Sequence, residues 1–315
     1  MKPDDISGKT VLISPLDWGM GHTTRCIPII RQLIQQNNQV IFAGTEIQNQ
    51  LIAKDFPNLT LEKIDGYNIR LDGSKSTYLQ LFQQWPKIRR VIQAEQKIAE
   101  NLAKKHNIDV LISDNRYGFR SNGVKNIFMT HQLSPPLPTA KEFVGKKLRK
   151  YINKFDACWI PDEAHKQLAR GLNDAPLKIP KHFIGWLSRF EEVDGPSERK
   201  YLIIISGPEP ERSHFARKSM QKFANQGSCL FVLPEDMKET EVLKVIHPST
   251  AQLGKLINTS EIIISRAGYT TIMELIKLQK KAILIPTKGQ YEQEYLAKHI
   301  EYPRFQFIPE TKFFN

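Results

Sequence analysis

Cysteine is scarce in this 315-residue chain, which has three, Cys26, Cys158 and Cys229, far apart and odd in number. That excludes a disulfide framework, and the lack of C-x-x-C spacing removes a cysteine metal site. Long apolar runs are lacking too. None approaches the roughly 18 residues that cross a bilayer, and the polar opening MKPDDISGKT is no signal peptide. A cytoplasmic protein is expected, with any membrane contact peripheral at the inner face. There is no fixed-period repeat, no low-complexity segment and no Asp-x-Asp pair of the kind that holds a catalytic metal. Acid is short relative to base: 33 Asp and Glu against 45 Lys and Arg, a formal +12. Such a balance favours anionic partners. Nucleic acid is not expected among them, because no helix-turn-helix or zinc-finger pattern appears.

What the chain has in plenty is core. With 40% hydrophobic and 25% charged residues it reads as a globular protein, and 315 residues fit two domains of about 150 each. Short β-branched runs alternate with helical patterns. Strands are expected at Thr10 to Ser14, Gln39 to Phe42, Leu59 to Ile64, Val110 to Ser113, Asn126 to Thr130 and Ala157 to Ile160. A helix is read from Arg25 to Ile34, and a longer helical stretch, Thr77 to Lys105, is expected to kink at Trp85-Pro86. After His182 to Trp186 comes EEVDGPSERK, which has linker composition, and then the pattern restarts. Strands follow at Tyr201 to Ile205, Leu230 to Leu233, Val242 to Ile246, Ile262 to Ile264, Ala282 to Ile285 and Arg304 to Ile308. The fold class is α/β, with two Rossmann-like, doubly wound parallel-sheet domains facing a central cleft. The expected bounds are 1–186 for the first domain, 187–199 for a linker and 200–315 for the second domain.

Chemistry collects at the predicted carboxyl edges. In the C-terminal half a strand runs into Ser265-Arg266-Ala267-Gly268 and a helix follows, so helix-start N–H groups and the dipole suit an anion. Ser265 and Thr270 add hydroxyls, and the carboxylate of Glu274, in the helix's second turn, suits a vicinal diol such as a ribose. The alternative is an ordinary turn with a solvent-facing Glu274. In the N-terminal half a loop from Pro15 to Thr24 carries Gly19-Met20-Gly21-His22. Thr24 stands where a dinucleotide fingerprint needs its third glycine, and the next strand ends in Ala43-Gly44 without a ribose-binding acid. His22 is placed to act as a general base toward an acceptor hydroxyl, or else packs locally while Thr23 and Thr24 cap the helix. Asp114 and Asn115, with His131 and Gln132, are polar clusters on the same edge; with Gly19 they are candidates for an acceptor pocket, and Asp114 for a catalytic part.

These residues resemble a known family. Gly19-x-Gly21-His22-x-x-Arg25, S-R-A-G-x-x-T-x-x-E from Ser265 to Glu274 and P-x-x-x-x-x-E-Q from Pro286 to Gln293 are similar to the glycosyltransferase-B superfamily, in the branch of the peptidoglycan N-acetylglucosaminyltransferase that makes lipid II. The resemblance implies an inverting transfer from a nucleotide sugar, usually a UDP-sugar, to an acceptor hydroxyl, with no metal and no cofactor beyond that co-substrate. By matching position, Ser265, Arg266, Ala267 and Gly268 would face the diphosphate and Glu274 the ribose. Gln293 would sit by the donor sugar, and Ser206-Gly207 would contact the diphosphate. Gly21, Thr270 and Gln290 complete the candidate donor set. Leu296 stands where the family commonly has Asn, which leaves the sugar open. The family continues with helices beyond the last strand, and the C-terminal domain is expected to lack them. Two other functions stand beside transfer: an epimerase or hydrolase of the UDP-sugar, using Asp114 with Glu292 or Glu294, and a non-catalytic nucleotide-sugar binder.

Overall fold

The computed structural model describes residues 1–67, 84–135, 141–165, 167–193, 195–223, 226–234 and 242–315. The chain forms two compact units, the first ending at Leu187 and the second beginning at Ser188. In the first, β1 (Thr10–Pro15), β2 (Gln39–Gly44), β3 (Thr60–Lys63), β4 (Val110–Asp114), β5 (Lys125–Met129), β6 (Ala157–Ile160) and β7 (Lys181–Phe183) form one sheet in the order β3-β2-β1-β4-β5-β6-β7. All its pairings are parallel. The helices are α1 (Met20–Gln35), α2 (Glu46–Asp55), α3 (Trp85–His106) and α4 (Lys141–Ile152).

A parallel sheet buried on both faces needs strands that are apolar on both sides, which is why these read as unbroken runs. Successive residues then serve opposite cores. Val11, Ile13, Val110 and Ile112 pack on one face with Ile27, Ile30 and Leu33 of α1. Leu12, Ile41 and Leu111 pack on the other with Ala99 and Leu102 of α3. Each fully buried side chain of this kind contributes about 1.5 to 3 kcal/mol relative to exposure. The register sets Pro15 beside Asp114, so the ends of β1 and β4 lie level.

The second unit repeats the plan. Its strands β8 (Arg199–Ile204), β9 (Cys229–Leu233), β10 (Lys244–Ile246), β11 (Ser260–Arg266), β12 (Lys281–Ile285) and β13 (Phe305–Phe307) pair in parallel in the order β10-β9-β8-β11-β12-β13. Its helices are α5 (Glu211–Phe223), α6 (Thr250–Asn258), α7 (Tyr269–Lys277), α8 (Tyr291–His299) and α9 (Glu310–Phe314). In both sheets the strand order reverses between the first strand of the unit and the fourth, β1 and β4 or β8 and β11. Ligands of open α/β sheets bind outside the carboxyl ends at that reversal.

Three expectations are corrected. Helix α1 begins at Met20 rather than Arg25, so His22 sits in the first helical turn. Its N-cap is Gly19, at a φ of 94° that favours glycine, and no side chain caps it, so Thr23 and Thr24 do not have that role. Trp85-Pro86 is the start of α3 rather than a kink, because proline lacks only an N–H that the first turn leaves unpaired anyway; the expected helix before residue 84 lies outside the described residues. The stretch read as linker is bound to the second unit over its first residues: Asn258 Nδ2 donates to Glu191 O at 2.9 Å, and Phe190 is buried close to Gly254.

Candidate active site

Four polar side chains converge at the reversal in the first sheet. Asp114, the last residue of β4, is fully buried, and Arg25 of α1 is 2% exposed. Arg25 Nε donates to Asp114 Oδ2 at 2.6 Å and Nη2 to Oδ1, a two-point fork on the carboxylate. Arg25 Nη1 lies 3.0 Å from His131 Nδ1, and Nη2 lies 2.9 Å from His22 Nδ1. His22 Nδ1 is also 3.2 Å from Asp114 Oδ1. Asp114 and His131 come from the strand ends of β4 and β5, and His22 and Arg25 stand one turn apart on α1. The sequence reading had quoted Arg25 without a role; its three-residue spacing from His22, which puts both on one helix face, was the available signal.

Electrostatics separates the parts. Burial alone would raise the Asp114 pKa, but the Arg25 charge, with His22 and their hydrogen bonds, outweighs it and holds the carboxyl down to about 2. Burial lowers the His22 pKa; Asp114 opposes this, while Arg25 and His131 add to it. The imidazole is therefore uncharged at neutral pH and able to take a proton. Of the other acceptor-side candidates, Gly19 is exposed with open space where a side chain would be. Asn115 is buried with a left-handed backbone, and Gly21 and Gln132 are half-buried.

The turn before α1 and the first helical turn that carries His22 are fastened together by one amide. Gln48 of α2, 2% exposed, donates from Nε2 to Leu16 O at 3.1 Å and to Thr23 Oγ1 at 2.9 Å. Its Oε1 accepts from Thr45 N at 2.9 Å, so both ends of the side chain are used. Gln48 was not expected from the sequence, because a glutamine inside a helix gives no local sign of where it will reach.

In the second unit Ser206 and Gly207 follow β8 and Ser265 to Glu274 run from the end of β11 into α7, so these candidates lie at the reversal, while Gln290 and Gln293 follow β12. Gly268 is the N-cap of α7, no side chain caps that helix and its first turn holds no acid. At α5 the position is different. Glu209 accepts from Ser213 N at 3.2 Å and from Ser213 Oγ at 2.9 Å, putting a carboxylate of the chain itself at that helix start. An anion is therefore better received at α7 than at α5. Ser206 and Gly207 lie exposed just before Glu209; Ser265 and Ala267 are buried, and Thr270 is half-buried.

Three of the candidate donor residues have partners within the chain. Arg266 Nη1 donates to Glu310 Oε2 at 2.8 Å, and the guanidinium lies 4.2 Å from the Phe215 ring centroid. Glu310 is 44 residues away on α9, which no local pattern could reveal. Gln293 has its amide engaged in its own loop, accepting from Thr287 N at 2.9 Å and donating to Gln290 Oε1 at 2.5 Å. Glu274 is neither solvent-facing nor alone. It is 5% exposed, with Oε1 3.0 Å from Arg189 Nε in a charge contact that lacks hydrogen-bond alignment. Burial raises its pKa and Arg189 opposes the rise. Arg189, missed in the sequence, is thus a wall of the same site.

Among the described residues, no group of His, Cys, Asp and Glu is placed to hold a metal ion, and no helix is long and apolar enough to cross a membrane.

Comparison with known proteins adds three findings. Residues 233–303 match the glycosyltransferase family 28 C-terminal domain. A curated "uncharacterized glycosyltransferase" of Methanosarcina mazei is 22% identical over 319 residues, covering 90% of this chain and 81% of the relative. Among solved structures, the glycotransferase of kitacinnamycin superposes with a TM-score of 0.63 at 14% identity, over 98% of this chain and 87% of that one. MurG of Acinetobacter baumannii superposes with a TM-score of 0.51 at 14% identity, over 95% and 86%. The fold is the glycosyltransferase-B type, and the family 28 match together with the curated relative indicates a glycosyltransferase.

Proposed function

We propose that this glycosyltransferase moves a sugar from a nucleotide sugar, with UDP as the nucleotide, to an acceptor hydroxyl, inverting the anomeric carbon and using no metal. The observation that carries the reading is the contact of His22 with the buried, Arg25-forked Asp114 at the first sheet's strand reversal. Arg25 Nη2 and Asp114 Oδ1 both adjoin His22 Nδ1, and the tautomer that directs the Nδ1 proton to Asp114 leaves Nε2 as the basic atom. The acceptor hydroxyl gives its proton to Nε2 and its oxygen attacks the anomeric carbon from the face opposite the diphosphate. The bond to the diphosphate oxygen breaks, and its electron pair leaves with the nucleotide. At α7 the helix start stabilises the charge developing on that leaving group. Glu274 receives the ribose hydroxyls.

The acceptor is a small molecule, a glycan or a lipid-linked sugar. The basic balance of the chain, with Arg89 and Arg90 exposed on α3, Lys150 on α4 and Lys154 just after it, supports peripheral contact with an anionic surface. Vesicles of anionic lipid should retain the protein at low salt and release it at high salt; retention indifferent to salt would count against that contact. Asp114 bears on the epimerase alternative as well. A carboxyl forked by Arg25 and held at about 2 is unsuited to exchanging protons with a sugar near neutrality.

The test is a panel of UDP-sugars and other nucleotide sugars, incubated with the protein and separated by mass and chromatography. Transfer of the sugar to an added hydroxyl compound is the expected result, and free sugar plus UDP as the sole products would instead favour the hydrolase. A donor converted into an isomeric donor, or one left unchanged under every condition while still bound, would overturn it.

A further inference from the structure

The Arg25 guanidinium has no part in the proton transfer proposed above, yet it touches each of the groups around it. It forks the Asp114 carboxylate through Nε and Nη2, reaches His131 with Nη1 and lies 2.9 Å from His22 Nδ1. It is 2% exposed, and its charge is permanent, because a guanidinium does not lose its proton in proteins.

Consider the pair without it. A buried carboxylate 3.2 Å from an imidazole favours the imidazolium, and a histidine already protonated cannot accept a proton from a hydroxyl. With Arg25 present the carboxylate is neutralised at two points, and a cation adjoins the imidazole on the same side. The charged and titratable groups that face His22 are Asp114 from β4, Arg25 from its own helix and His131 from beyond β5; the first favours its protonation and the other two oppose it. On α1 the Cys26 thiol bonds the His22 carbonyl and stays uncharged, since burial raises its pKa.

We propose that Arg25 is a positioning residue for His22: it ties down Asp114, orients His131, and keeps His22 in the uncharged form that accepts the acceptor's proton. The proposal rests on the reading of His22 as the base, and its test separates the two.

The measurements are the pH dependence of kcat for wild type, Arg25→Lys and Arg25→Gln, and the UDP dissociation constant of each. In Arg25→Gln the acid limb of kcat should move to higher pH, because Asp114 is then opposed only by burial and His131. In Arg25→Lys the charge remains but the fork is lost. That variant should keep its acid limb near wild type and lose about 10²-fold in kcat from misplacement. UDP affinity should stay within about twofold in both, as Arg25 lies in the first unit. A purely structural Arg25 predicts a lower melting temperature and a uniform loss at every pH, with the acid limb unmoved, and that result overturns the proposal. Should Arg25→Gln fail to fold, ¹⁵N histidine NMR of wild type and Arg25→Met decides the matter, with His22 assigned through His22→Gln. Because burial also lowers the His22 pKa, the supporting result is a His22 titration that lies higher in Arg25→Met than in wild type; an unmoved titration refutes the role. If instead His22→Ala keeps full turnover, the base assignment fails while the NMR titration still reports on Arg25.

Discussion

At the scale of single residues the account turns on His22. His22→Ala is expected to lower turnover by about 10² to 10⁴-fold, the range for losing a general base. Because burial and Arg25 lower the His22 pKa, the wild-type rate should hold through neutral pH and fall only below the ordinary histidine range. Steady-state kinetics from mildly acid to mildly basic pH check both statements; a His22→Ala enzyme with wild-type kcat at saturating acceptor would exclude the role. Asp114 predicts a stability effect of defined sign. Its folded pKa, about 2, lies below the unfolded value, so the folded state binds fewer protons there. The stabilisation is complete above the unfolded pKa of about 3.9 and is lost as pH falls through that value toward 2. Chemical denaturation followed between these pH values should show Asp114→Asn less acid-dependent than wild type, though weaker overall. Part of this site was legible beforehand. His22, Asp114 and His131 could be set on one edge because each follows a recognisable strand. The pairs Arg266 with Glu310 and Glu274 with Arg189 could not, since each joins residues 44 and 85 apart in sequence and leaves no periodic trace.

At the scale of elements, the strands were the readable part and the helix starts were not. Runs such as Val110 to Ser113 and Ile262 to Ile264 announce buried parallel strands by composition alone. Strand β7, Lys181–Phe183, was missed because three residues with two of them polar or charged carry no such signal. The start of α1 was misplaced because Gly19 is its N-cap and Gly21 lies in its first turn, where glycines usually mark a loop. A further element-level feature is the turn after β4. A Cβ on Gly118 would lie 1.9 Å from the Ile92 carbonyl oxygen on α3. The same turn is anchored by Glu95, which accepts from Gly118 N at 2.9 Å, Arg116 Nε at 2.7 Å and the Tyr67 hydroxyl at 2.8 Å. Gly118→Ala must therefore push backbone against backbone within a fully bonded buried network. It should cost about 1 to 3 kcal/mol or more in a urea titration. A midpoint within error of wild type would mean that α3 and this turn do not meet as described.

At the scale of the whole molecule, two units of one plan carry different chemistry at equivalent places. Each sheet reverses its strand order once, and each reversal collects the polar residues of its unit: His22, Arg25, Asp114 and His131 in the first, and in the second the start of α7 with Glu274 and Arg189. The alternation of strands and helices made this duplication visible in the sequence. The division of labour was read from residue types, since a histidine suits proton transfer and a buried carboxylate beside a helix start suits a nucleotide. The central claim is that donor binding belongs to the second unit and proton transfer to the first. Calorimetric titration of the full chain with UDP tests it most directly, on wild type, Glu274→Ala and His22→Ala side by side. The account predicts that Glu274→Ala weakens UDP by about 1 to 3 kcal/mol, with a lower melting temperature from losing the buried charge contact with Arg189, and that His22→Ala binds UDP as wild type does. UDP affinity untouched by Glu274→Ala but lost with His22→Ala would contradict it.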